Sequence, residues 1–146
     1  MGRAKPAIVA CALFLAFGLR AAAESAEPGL LHGQWEIAGV VVQHNANGDD
    51  ATRGKGMLSG KMTDCSTATV STITFDGLDE FGAPLQLEGT RVGRGFVLRT
   101  PDGGMVLSGS ILVVKEGFAN KLRAEGYRAV EAGLRLYSAC GKRVPG

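Results

Sequence analysis

Metal ligands and nucleophile partners are scarce, with only two histidines and three cysteines among 146 residues. His32 and His44 belong to no ligand cluster, and neither is spaced as the partner of a catalytic serine or aspartate. Ser59 and Ser108 stand beside glycines, but neither occupies the centre of a Gly-x-Ser-x-Gly elbow. The sequence therefore names no catalytic residue, no metal site and no cofactor. An excess of one charge is missing too. The formal net charge is +2, and the basic residues alternate with acidic ones without forming a block or an aromatic-flanked stripe. Nucleic acid is excluded as a partner on that ground. Proline is sparse, five residues against 22 glycines. That is too little for a proline-rich linker, and the Gly-X-Y period of collagen is absent, whereas abundant glycine suits tight turns between short strands. At this length, with 45% apolar and 21% charged residues, the chain has room for one domain with one core.

Long apolar runs are missing except at the start. Arg3 and Lys5, the run Ala7 to Leu19, and Ala21-Ala22-Ala23 form the charged, apolar and small-residue regions of a secretory signal peptide, with the cut expected after Ala23. The run is short for a membrane span and is broken by Arg20, so the membrane is met only through this segment. Ile8-Val9-Ala10-Cys11 resembles a lipidation box, but the apolar run continues past the cysteine, and Cys11 reads as part of the signal. The exported domain is then 24–146, opening with a flexible arm over 24–31 that contains Pro28-Gly29 and ending in a basic tail over 141–146. In an oxidising compartment Cys65 and Cys140 are expected to form a disulfide. Closing so long an interval would stabilise the fold by roughly 4.5 kcal/mol in the chain-entropy view.

From Trp35 onward the pattern is that of β-structure. Trp35, Ile37 and Val41 share one parity, and Ala38, Val40 and Val42 the other. Residues 45–50 are turn-forming, and they fail as a calcium loop because Asp50 stands where the sharp-turn glycine belongs and Gly56 where the bidentate glutamate belongs. Strands are expected over 56–62 and 67–75, the second rich in threonine, valine and isoleucine. Asp79, Glu80 and Phe81 fall in a loop over 78–83 and read as solvated. Leu85-Gln86-Leu87-Glu88 alternates as a half-buried strand. Thr100-Pro101-Asp102-Gly103-Gly104 signals a hairpin, and Gly109-Ser110 a bulge or bend in the following strand. Over 116–131 the apolar residues fall near one helical face, so a short helix over 117–125 is expected, followed by strands from Tyr127 and over 133–140. The fold class is therefore mainly β, a small antiparallel barrel or curled sheet of about seven or eight strands with one short late helix.

Gly33-Gln34-Trp35 at the head of the first strand resembles the Gly-x-Trp motif of the calycin superfamily, which includes the lipocalins and small bacterial inhibitors of secreted metalloproteases. The resemblance implies a closed barrel whose end is plugged by Trp35, with Arg135 of the last strand packed across the indole. It also implies two functions. A lipocalin-like protein would hold a small apolar ligand, with Val41, Val70, Phe75, Leu87, Phe96 and Val106 as candidate lining residues. An inhibitor of a secreted protease would act through its mature N-terminus, here Glu24, Ser25, Ala26 and Glu27. The disulfide spacing departs from the inhibitors, and the chain is shorter than lipocalins and lacks their Thr-Asp-Tyr element. A structural protein of the cell envelope is the third reading. The expectation is an exported, non-enzymatic binding protein, periplasmic or secreted.

Overall fold

The computed structural model describes residues 27–66 and 70–145. The signal segment and Glu24, Ser25 and Ala26 of the expected inhibitory arm lie outside the described residues. Among the described residues nine strands follow one another: β1 (Glu27–Pro28), β2 (Gly33–Asn45), β3 (Asp50–Ser66), β4 (Val70–Leu78), β5 (Pro84–Val92), β6 (Gly95–Arg99), β7 (Met105–Lys115), β8 (Phe118–Val130) and β9 (Gly133–Arg143). From β2 to β9 each pairs antiparallel with the next, and β9 pairs back onto β2, so eight strands close an up-and-down barrel. Closure leaves those strands without a free edge. The short β1 continues the line of β2 along β3, through Glu27↔Ser66 and Pro28↔Cys65.

Side chains alternate between a largely apolar interior and a mixed exterior, where charged residues stand beside exposed apolar ones such as Val40, Met57, Leu112 and Leu136. Trp35, Ile37, Leu58, Met62, Ile73, Phe75, Leu87, Leu98, Leu107 and Leu122 fill the inside, each fully buried large side chain contributing about 1.5–3 kcal/mol of apolar transfer. Lys61, Glu88, Arg99, Arg123 and Glu125 occupy the intervening outward positions.

No helix occurs among the described residues, and the expected helix over 117–125 is replaced by β8. The register between β7 and β8 shifts around Ile111, Val113 and Val114. Ala119 and Leu122, three apart, therefore both point inward, and a strand irregularity imitates helical spacing. The bend expected at Gly109-Ser110 falls at this shift instead, while Gly109 pairs regularly with Phe96 and Ala124.

Two further expectations are corrected at the chain's extremities. Residues 141–143 are not a tail, because β9 runs through Arg143, which pairs with Trp35. Residues 27–31 are not a free arm, since β1 is hydrogen-bonded to β3 and Leu31 is fully buried. The Cys65–Cys140 bond is not formed, and Cys140 carries a free, exposed thiol. Cys140 on β9 lies level with Ala38 of β2 and, through it, with Met57 of β3. The run of β3 from Met57 to Cys65 alone spans roughly 25 Å, far beyond the Cα separation a disulfide tolerates.

Candidate ligand site at the barrel mouth

The two ends of the barrel are built differently. At the Trp35 end the chain between β1 and β2 turns inward and seals the opening. The Leu31 amide donates to Asp64 Oδ2 at 2.9 Å, and Trp35 Nε1 donates to the Leu31 carbonyl at 2.7 Å. Arg143 binds three carbonyls, those of Ala119 at 2.7 Å, Leu30 at 3.0 Å and His32. Its guanidinium lies 5.1 Å from the centre of the Trp35 ring, within cation–π range. Arg143 thus occupies the place that the resemblance assigned to Arg135. A Cβ on Gly33, whose φ is +135°, would stand 1.9 Å from Arg143 Nη1. The glycine of the Gly-x-Trp motif is required by that positive φ, and a side chain there would also have to push the Arg143 tip aside.

Beneath this seal Asp64, fully buried, accepts from Arg91 Nε at 2.7 Å, while Arg91 Nη2 donates to Ser71 Oγ at 2.7 Å and Nη1 to the Gly93 carbonyl at 2.6 Å. Every arm of the guanidinium is engaged, as a buried ion pair requires. His32 Nδ1 accepts from the Asp64 amide at 3.3 Å. Burial, with Lys61 and Arg143 nearby, outweighs the attraction of Asp64 and lowers its pKa. This end is a closed floor.

The opposite end carries the turns 46–49, 79–83, 100–104 and 131–132, and one of them, 79–83, turns two side chains into the barrel end. Asp79 braces its own loop, its Oδ1 accepting from the amides of Phe81 at 2.8 Å and Ala83 at 2.9 Å. Its other oxygen accepts from Arg128 Nη1 at 3.0 Å. Burial alone would raise the Asp79 pKa, but these two amides and the Arg128 guanidinium hold it below the ordinary value. Glu80 reaches inside, where Oε2 accepts from the Tyr137 hydroxyl at 3.0 Å and lies 3.7 Å from Arg135 Nη1. Phe81, 62% exposed, lies beneath the Arg135 guanidinium at 4.6 Å from ring centre to cation. Burial, then the charge and hydrogen bond of Glu80, push the Tyr137 pKa up to about 12 against the opposing pull of Arg128.

The Glu80 seat is incomplete. Its side chain is 8% exposed, yet among the described residues Oε1 has no hydrogen-bond partner, and neither does the buried Nε of Arg135. Under Glu80 lies a residual cavity of about 10 Å³ lined by Ile37, Val41, Leu58, Leu107, Ala124 and Tyr137, the room of roughly one water molecule. A Cβ on Gly56 would meet Val41 Cγ2 at 2.5 Å, so the glycine leaves space for the Val41 side chain that borders the cavity, and Glu80 Cβ lies at ordinary contact distance from the same point.

Compared with protein families and with curated proteins, the sequence matches none. Among solved structures the chain is similar to a de novo designed fluorescence-activating β-barrel, with a TM-score of 0.45 and 18% identity over 79% of this chain and 94% of that one. It is also similar to a protein of unknown function from Bacteroides ovatus, with a TM-score of 0.38 and 12% identity over 75% of this chain and 40% of that one.

Of the six candidate lining residues, Val41 borders the cavity, and Phe75, Leu87 and Phe96 are buried inside the barrel. Val70 and Val106 are not lining residues. Val70 is 53% exposed, and Val106 alternates outward between the buried Met105 and Leu107. Asp79, Glu80, Arg128 and Tyr137 were not expected at a site. Inward parity on β9, shared by Arg135, Tyr137 and Arg143, is the signal that could have found the cationic half. No spacing rule would have turned the two carboxylates of Asp79 and Glu80 into the barrel end. Among the described residues no group of His, Cys, Asp and Glu is arranged to hold a metal.

Proposed function

We propose that the chain is an exported, non-enzymatic binding protein that takes a small apolar ligand into the barrel through the 79–83 end. The observation that carries this reading is the half-satisfied Glu80 seated over an apolar cavity, opposite a floor whose polar groups are bonded. Buried polar atoms without partners are uncommon and costly. Here they stand where a ligand would pass between solvent and an apolar interior. With the loop seated the cavity is too small for an organic molecule, so entry requires the loop to lift. Because Asp79 braces it internally, the loop can move as a unit once its side-chain ties to Arg128, Tyr137 and Arg135 release. The expected signal segment over 1–23 supports export. A fluorescence titration with the neutral probe N-phenyl-1-naphthylamine tests the reading. Saturable enhancement, reduced when Val41→Trp fills the cavity, is expected, and failure of this and every other apolar probe to bind would overturn it.

A further inference from the structure

Resting on that reading, we infer that Glu80 is an internal stand-in for the ligand's own head group, and that the ligand is an apolar-tailed carboxylate which displaces it. The charges at the mouth decide the class. With the loop seated, Asp79 and Glu80 face Arg128 and Arg135, and the formal charges cancel. Lifting the loop withdraws both carboxylates and leaves two guanidinium groups and the Tyr137 hydroxyl around the entrance. Two uncompensated cations beside an apolar interior favour an anion strongly and disfavour a cationic or purely hydrocarbon ligand.

The position of the head group follows from the contacts of Glu80. Tyr137 donates to Oε2 at 3.0 Å, and Arg135 Nη1 stands 3.7 Å from the same oxygen, a loose pairing for a guanidinium and a carboxylate. Among the described residues Oε1 and Arg135 Nε find no partner. Glu80 is tethered through its own backbone to the 79–83 turn, so it reaches the cations without engaging them fully. A free carboxylate carries no such tether and can take a two-point grip on Arg135 while accepting from Tyr137. The first carbons of its tail then take the space that Glu80 vacates beside Tyr137, above Leu107 and Leu58, which line the cavity below. The loop competes with the ligand for the same donors, so the protein is self-occluded when empty.

Calorimetric titration of the full exported chain with dodecanoate and with dodecan-1-ol, its neutral counterpart, tests the inference. Dodecanoate is expected to bind at least about tenfold more tightly than dodecanol. Glu80→Gln, which keeps the side chain's shape, is expected to tighten dodecanoate about tenfold with little effect on dodecanol. Arg135→Gln is expected to abolish the preference for the acid. If the naphthylamine probe enters but dodecanoate has no advantage, or Glu80→Gln leaves it unchanged or weaker, the head-group assignment is overturned while the binding reading stands. If neither the probe nor dodecanoate binds to the wild type or to Glu80→Gln, both are overturned.

Discussion

Asp64 and Arg91 illustrate how a single buried charge is made tolerable. Asp64 is fully enclosed, and it accepts from both Arg91 and the Leu31 amide. Asp64→Ala would strand the Arg91 guanidinium without its counter-charge in a closed interior, and a loss of about 3–5 kcal/mol is expected in urea unfolding. Cys140 is the opposite case. Its thiol is exposed and free, so Cys140→Ser should leave stability within about 0.5 kcal/mol of the parent, and it should remove the native-state reaction of that thiol with a disulfide reagent. A structural bond to Cys65 would instead make the same substitution strongly destabilising. Arg143 shows why residue-scale reading fell short at this end. Lys142-Arg143 follows the last cysteine and resembles a basic tail in sequence. Its role comes from strand register, which places Arg143 opposite Trp35.

At the scale of strands and turns, hydrophobic alternation carried most of the fold. β2, β5 and the hairpin at 100–104 could be read directly because each keeps a two-residue period up to its turn. β8 could not, because the shift opposite Ile111 to Val114 breaks the period, and a broken period of two is close to a period of 3.6 over one turn. The 79–83 turn was also opaque, since Asp, Glu and an exposed phenylalanine in a loop ordinarily mean solvent. Only the inward parity of Arg128 and Arg135 on neighbouring strands makes burial of both carboxylates affordable in electrostatic terms. The β7–β8 turn offers a local test. Glu116 adopts φ +54° and Gly117 φ +84°, the pair of left-handed residues that a two-residue hairpin demands. Glutamate is disfavoured there, so Glu116→Asn should raise stability by roughly 0.5–1 kcal/mol in thermal or urea unfolding.

For the whole molecule, one group at each end ties stability to pH on a different side of neutrality. His32 at the closed end is held below its ordinary pKa of 6.5. The unfolded chain therefore binds the proton first, and the stability His32 contributes is present above about pH 6.5 and lost as pH falls below it. Tyr137 at the mouth is raised from 10.0 to about 12. Between those values the folded state holds a proton that the unfolded state has released, so stability falls as pH climbs from about 10 toward 12. Urea midpoints across pH should decline on both sides, with His32→Gln flattening the fall just below pH 6.5 and Tyr137→Phe the alkaline limb, while the Asp79 contacts at the mouth add a further loss as pH falls below its ordinary 3.8.

The division into a sealed floor and a ligand mouth is tested most directly by mapping amide chemical shifts by NMR while the neutral naphthylamine probe is titrated in. The largest changes are expected at Glu80, Phe81, Gly82, Arg128, Arg135 and Tyr137, with Leu31, Trp35 and Arg143 little affected. Changes centred on Leu31, Trp35 and Arg143, or confined to outward-facing positions such as Tyr127 and Leu136, would contradict it.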